Sequence, residues 1–262
     1  MFANCHAWRQ PMSAEPALAL VLRSVDFSET SSVVTLFTRE FGKVRGLAKG
    51  ARRPKGPFES ALDLLALCRI VFLPKSSDVL DLLTEAKLER RFRAAGRDLS
   101  SLYAGYYVAE LLHELTDDHD PHPELFDAAC DTLAALSAGG SSVTARILHF
   151  ELTALRVLGH LPSLDSCVEC GKPVSGERRT AFGLVAGGVL CETCRPGKKQ
   201  VVSIGAAAMS LLRRLAETSG ELPPEGEQDR RSYGELRGVM NQYVSHLLGR
   251  KPRLHDYLVL SG

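Results

Sequence analysis

Residues 31–58 read SSVVTLFTREFGKVRGLAKGARRPKGPF. SSVVTLFT and KVRGLAKG are rich in Val, Leu, Phe and Thr, have the length of strands, and are separated by Arg39-Glu40-Phe41-Gly42. Outward from this pair, ALALVLRSVDF precedes it at 17–27, and ALDLLALCRIVFLP and SDVLDLLTEAKL follow at 61–74 and 77–88. Ser, Gly, Pro and Asp punctuate all five runs. Five strands within about 70 residues predict a small barrel of the OB type, here over residues 17–89.

The connection after the third run, GARRPKGPFES, is the longest and most basic. Residues 42–58 hold Lys43, Arg45, Lys49, Arg52, Arg53 and Lys55 without an acid, and Arg39 makes seven cations over 39–55 against Glu40 alone. The chain of 262 residues carries a formal charge of only +1, so this charge is concentrated locally. There are 15 basic and 10 acidic side chains over 17–99, 2 and 10 over 100–166, and 14 and 10 over 167–262. Such asymmetry predicts segments with different partners. A charge run is commonly a solvated face, but clustered cations repel one another and an anionic partner relieves that repulsion. OB-type barrels bind nucleic acid through a positive groove and aromatic platforms. Phe41 and Phe58 flank the loop; Phe41 reads as core and Phe58 as an anchor of the loop to the barrel. The expected phosphate-holding residues are Arg39, Lys43, Arg45, Lys49, Arg52, Arg53 and Lys55, with glycines at 42, 46, 50 and 56 allowing close approach of a strand. Arg90, Arg91, Arg93 and Arg97 form a second rank.

From about Arg91 the apolar spacing becomes helical: Leu99, Leu102, Tyr103, Tyr106, Ala109 and Leu112 form one stripe. PELFDAACDTLAALSAGG opens on proline and stops at a glycine pair, and SVTARILHFELTALRVLGHLP makes a third helix. Asp118, His119, Asp120 and His122 have metal-ligand chemistry, but between two helices they read as stop and cap signals. SIGAAAMSLLRRLAE and SYGELRGVMNQYVSHLLG are two further helices joined by the polar linker TSGELPPEGEQDRR. The predicted class is α+β and multidomain: residues 1–16 a poorly ordered extension that holds two candidate starts, Met1 and Met12, 17–89 the barrel, and 90–262 an α-helical domain.

That helical domain carries a finger at about 163–197. Cys167, Cys170, Cys191 and Cys194 form two C-x2-C pairs separated by twenty residues, the spacing of a four-cysteine zinc site. One tight turn presents both sulfurs of a pair to the same cation, and two such knuckles complete a closed tetrahedron. A closed site leaves no position for water or substrate, so the expected Zn2+ is structural. A disulfide pair or a redox dithiol is the rival reading, and neither explains both pairs in a cytosolic chain. Cys5, Cys68 and Cys130 stand alone.

Catalytic signatures are missing: there is no Walker A loop, H-E-x-x-H, G-x-S-x-G or dinucleotide glycine fingerprint. His149 and Glu151 followed by Cys167 and Cys170 echo a zinc deaminase, but Pro162 is not adjacent to the first cysteine and Cys191 and Cys194 would be left over. Binding without catalysis is the expectation. No window holds the roughly 18 consecutive apolar residues of a membrane span, and the N-terminus has no signal-peptide core, so the expected compartment is the cytoplasm.

Taken as a set, SVDFSETSSVVTLFTREFGKVRGLAKGARRPKGPF, the helical middle, CVECG with FGLVAGGVLCETC and the short basic close resemble the RecO family of bacterial DNA-repair proteins. The resemblance runs over roughly residues 17–258, and its most specific pieces are TREFGKVRGLAKGARRPK and the pairing of Phe182-Gly183 and Gly187-Gly188 with the four cysteines. Leu254-His255-Asp256 departs from the more basic close usual in the family. The resemblance implies an N-terminal OB fold that binds single- and double-stranded DNA and a helical domain with a zinc finger. It further implies a nucleoid-associated recombination mediator that works with RecR, contacts the single-stranded-DNA-binding protein, anneals complementary strands and indirectly serves RecA. The rival classes are a zinc-ribbon RNA-binding or transcription module and a metal-dependent enzyme.

Overall fold

The structure, a computed structural model, describes residues 13–53, 56–58, 61–75, 79–95, 98–140, 142–176, 178–218, 222 and 227–258. The expected extension up to Met12, with Cys5, and the cations Lys55 and Arg97 lie outside these residues. The chain divides into two compact units: one reaches Arg91 and also takes in Asp117–Pro121, and the other comprises Phe92–Thr116 and the residues from His122 on.

In the first unit the five apolar runs form β1 (Glu15–Asp26), β2 (Ser32–Thr38), β3 (Gly42–Ala48), β4 (Leu67–Leu73) and β5 (Asp81–Arg90). They close into a barrel in the order β1-β2-β3-β5-β4, with β3 and β5 parallel and the other pairs antiparallel. Alternation decides which side chains fill it: Val21, Val34, Leu36, Val44, Ile70, Phe72 and Leu83 point inward and are buried. β1 begins at Glu15, two residues inside the stretch expected to be an extension, because Glu15 and Pro16 pair with Phe72 and Val71.

One irregularity sets the outer face. Val21 pairs with Leu36, but Arg23 pairs with Thr35, so Leu22 is an extra residue in β1. A bulge of this kind shifts the alternation by one and re-aims the residues after it. Arg23 and Val25 therefore turn outward, in transverse rows with Thr35 and Arg45 and with Val33 and Leu47.

The second unit holds α1 (Leu99–Leu115), α2 (Pro123–Ala138), α3 (Val143–Val157), a small sheet of β6 (Thr180–Gly183), β7 (Gly188–Leu190) and β8 (Val201–Ile204), then α4 (Ala206–Glu217) and α5 (Glu227–Leu248). Caps fix the helix starts: Asp98 accepts from the Ser100 and Ser101 amides, Ser142 accepts from Ala145, and Pro123 opens α2. α5 starts within the stretch expected to be linker, and Asp229 in its first turns meets Arg214 of α4 at 2.8 Å. Leu148, Leu152, Phe182, Met209, Leu212, Leu236 and Met240 share one core.

A polar cluster lies inside this unit. Glu151 takes two hydrogen bonds from Arg237, at 2.5 and 2.7 Å, and one from the Tyr107 hydroxyl at 2.5 Å, all three side chains being buried. The tyrosine proton is thus committed to the carboxylate, so at 2.9 Å the His255 Nε2–H donates to the Tyr107 oxygen. His255 Nδ1 is left bare and buried. Burial, and then the charges of Arg237 and Lys251, push its pKa down from 6.5 to about 4. The unfolded chain accepts that proton first, so stability is lost as pH falls from about 6.5 through about 4. Urea denaturation at a series of pH values should show this decline, and His255→Gln should flatten it above pH 5.

Candidate nucleic-acid interface and metal centre

The outer face of β1, β2 and β3 and the loop that follows β3 carry most of the cations singled out in the sequence. Strands lie about 4.8 Å apart, so Arg23 and Arg45, one strand removed on either side of Thr35, stand roughly 10 Å apart across the sheet. Arg45 is 2.8 Å from Asp118, and Lys43, largely buried, is 3.8 Å from the same residue. Arg52 reaches back to the turn between β1 and β2, 3.2 Å from Asp26 and 3.3 Å from the Ser28 carbonyl, while its amide donates to Thr30 at 3.2 Å. Lys49 and Arg53 are exposed and meet no carboxylate among the described residues. Arg39 is exposed at the end of β2, and Arg91 of the second rank is 3.7 Å from Asp63.

The expectation of cations unopposed by acids therefore fails for Lys43, Arg45 and Arg52. Asp118 comes from the connection between α1 and α2, which the His119 amide ties to the Lys43 carbonyl at 2.9 Å. Gly42 has no room for a strand either: at φ +67° it lies against the Asp120 backbone, and a Cβ there would sit 2.2 Å from the Asp120 carbonyl oxygen. Asp118, His119 and Asp120 thus serve this packing, and among the described residues they form no metal-holding group.

Exposure decides how much these pairs matter. Arg52 and Asp26 keep 46 % and 66 % of their side-chain surface, and an exposed pair contributes only about 0–1 kcal/mol. A phosphate can displace Asp26 from Arg52 at little cost. Lys43 is held more firmly, since only 11 % of its side chain is exposed. The flanking aromatics are structural: Phe41 meets Phe72 edge-on at 5.4 Å and Phe58 is buried in the barrel core. Two outer residues were missed in the sequence, Arg23 and Phe27. Arg23 has no carboxylate partner among the described residues, and Phe27 is 67 % exposed in the turn that Arg52 grips. The polar break RSVD within the first run was the signal for Arg23.

The four cysteines converge beside the β6–β8 sheet. Their sulfurs all lie within 4.8 Å of one another, with Cys170 and Cys191 3.8 Å apart. A tetrahedron of 2.3 Å metal–sulfur bonds spaces its sulfurs by about 3.8 Å, so the geometry fits one ion. The Gly171 amide donates to the Cys167 carbonyl at 2.8 Å and the Arg195 amide to that of Cys191 at 3.0 Å, closing the two knuckles. Gly171 at φ +72° supplies the left-handed residue the first knuckle needs. The Cys191 backbone N–H, joined by those of Cys170 and Glu169, lowers the Cys167 pKa to about 6, while hydrogen bonds with the Cys191 and Cys170 side chains push that of Cys194 up to about 12. Four sulfur donors suit a soft tetrahedral ion and not an oxygen-seeking one. Ala181 and Leu190 pack beneath Cys167. Glu151 belongs to the pair with Arg237, and His149 Nδ1 lies 3.3 Å from the Leu215 carbonyl, so neither joins the cysteines.

No helix among the described residues is long and apolar enough to cross a membrane. Two family models match the chain: Recombination protein O N terminal over residues 12–92, and Recombination protein O C terminal over 96–255. The DNA repair protein RecO of Rhodopirellula baltica is 44 % identical over 265 residues, covering 92 % of this chain and 97 % of the relative. That of Myxococcus xanthus is 37 % identical over 245 residues, covering 93 % and 96 %. That of Anaeromyxobacter sp. strain K is 37 % identical over 246 residues, covering 91 % and 93 %.

Proposed function

Because this chain belongs to the RecO family, we propose that it is a DNA repair and recombination mediator that binds single- and double-stranded DNA and anneals complementary strands. With RecR it helps to load RecA onto single strands coated by their binding protein. The observation that carries the DNA-binding part is the set of exposed cations Arg23 on β1 and Lys49, Arg52 and Arg53 in the loop after β3, where phosphates can replace the weak pairing of Arg52. The four thiolates hold Zn2+, which ties the finger together and takes no part in chemistry. The protein acts by binding; bringing strands together needs charge neutralisation and no turnover. A cytoplasmic, nucleoid-associated location follows from this role.

Annealing of complementary strands precoated with single-strand-binding protein tests the proposal. The protein should accelerate annealing, and Lys49→Glu with Arg53→Glu should abolish most of the acceleration. Annealing equal to the uncatalysed rate would refute it, and preference for one RNA over generic single strands in competition would favour a zinc-ribbon RNA-binding module.

A further inference from the structure

The turn between β1 and β2 is built as a rigid tip. The Phe27 and Ser28 amides both donate to the Ser31 carbonyl, at 2.9 and 3.2 Å, and the Ser31 amide donates to the Ser28 hydroxyl at 3.2 Å. Arg52 then clamps both sides of Phe27 through Asp26 and the Ser28 carbonyl. Phe27 keeps 67 % of its surface exposed at a turn whose backbone these hydrogen bonds hold. Nearby, Lys49 and Arg53 are exposed without a carboxylate partner among the described residues, and Arg52 is weakly paired. Next along β1 the outward Val25 is also exposed, continuing the apolar surface toward Val33.

We infer that Phe27 is a stacking platform for one base of a single strand whose adjacent phosphates rest on Lys49, Arg52 and Arg53. A nucleobase is the occupant that matches both halves of this surface, because it offers a flat π-face within a few ångströms of a phosphate. A peptide side chain would not bring the anion with it. Asp26, neutralised by Arg52, and the exposed Glu29 of the same turn are the carboxylates that a phosphate must avoid. Stacking is open to every base, so the platform confers preference for single strands over duplex and none for sequence. In a duplex the bases are stacked on one another and leave Phe27 uncovered.

The inference rests on the DNA-binding reading above, and the experiment separates the two. Affinities of the full chain for a mixed-sequence single strand, the same length of abasic strand and a duplex are measured for the wild type, Phe27→Ala, Phe27→Trp and the Lys49→Glu/Arg53→Glu double variant. Phe27→Ala should bind the single strand roughly tenfold more weakly, with duplex and abasic affinities changed less than about twofold and the salt slope unaltered. Phe27→Trp should retain affinity and its added emission should be quenched by the base-bearing strand only. If Phe27→Ala matches the wild type on single strands while the charge variant weakens every ligand, the stacking role is wrong and the phosphate face stands. If neither change matters, both are wrong.

Discussion

Glu151→Ala should destabilise the helical unit by about 3–5 kcal/mol, the scale for removing one partner of a buried ion pair. Neither side chain has an alternative: Glu151 is fully buried and only 4 % of Arg237 is exposed. Removing the carboxylate leaves a guanidinium in the core and takes away the acceptor of the Tyr107 hydroxyl. Against a total stability of 5–15 kcal/mol for typical domains, the loss moves the urea midpoint strongly. The pair itself contributes little net, because desolvation offsets its attraction and Arg237 Nη1 lacks a hydrogen-bond partner among the described residues. Glu151→Leu with Arg237→Met should therefore recover most of what either single change loses. A Glu151→Ala midpoint equal to the wild type would show that the cluster is not closed to water as the structure has it.

The second large effect is expected on losing the zinc ion proposed for the four cysteines. In small zinc modules the binding free energy, about 10–16 kcal/mol in isolated fingers, is folding free energy. The finger has almost no core of its own beyond Cys167, Ala181, Leu190 and a few partly buried neighbours. Cys191→Ser should thus release the ion, open residues 163–204 to protease and lower the melting temperature, and a strong chelator should reproduce this in the wild type. The charged face of the barrel unit includes none of these residues, so the salt dependence of DNA binding should survive wherever the variant stays folded. A metal-free protein with unchanged melting would remove the finger's structural role.

Much of this was legible because local rules agreed with the fold. Apolar runs broken by Gly, Pro and Ser gave the five strands, and Pro123 marked a helix start. Paired C-x2-C spacing was enough to bring four sulfurs together, since each knuckle is a local turn. What stayed hidden was non-local. Nothing near Lys43 or Arg45 foretells Asp118, which lies beyond α1, and charge counted along the chain cannot include an acid delivered by tertiary packing. The bulge at Leu22 is one extra residue in a continuous run, yet it decides that Arg23 faces outward beside Thr35 and Arg45. The exposure of Phe27 was masked by its place at the end of an apolar stretch, where core is the usual fate. α5 starts inside a polar segment, where Asp229 meets Arg214 of α4, a contact between helices that local sequence does not display.

The central claim is that fixed cations on the outer face of the barrel bind the phosphates of DNA, and the salt dependence of single-strand affinity tests it most directly. If Arg23, Lys49, Arg52 and Arg53 each neutralise a phosphate, log K falls against log salt with a slope of about −3. Arg52→Glu with Arg53→Glu should reduce that slope to about −1.5 or shallower for every sequence tried, whereas Arg69→Glu, on β4 and paired with Glu89, should leave it unchanged. A slope identical in wild type and the double variant would mean that DNA, if bound, is held somewhere else.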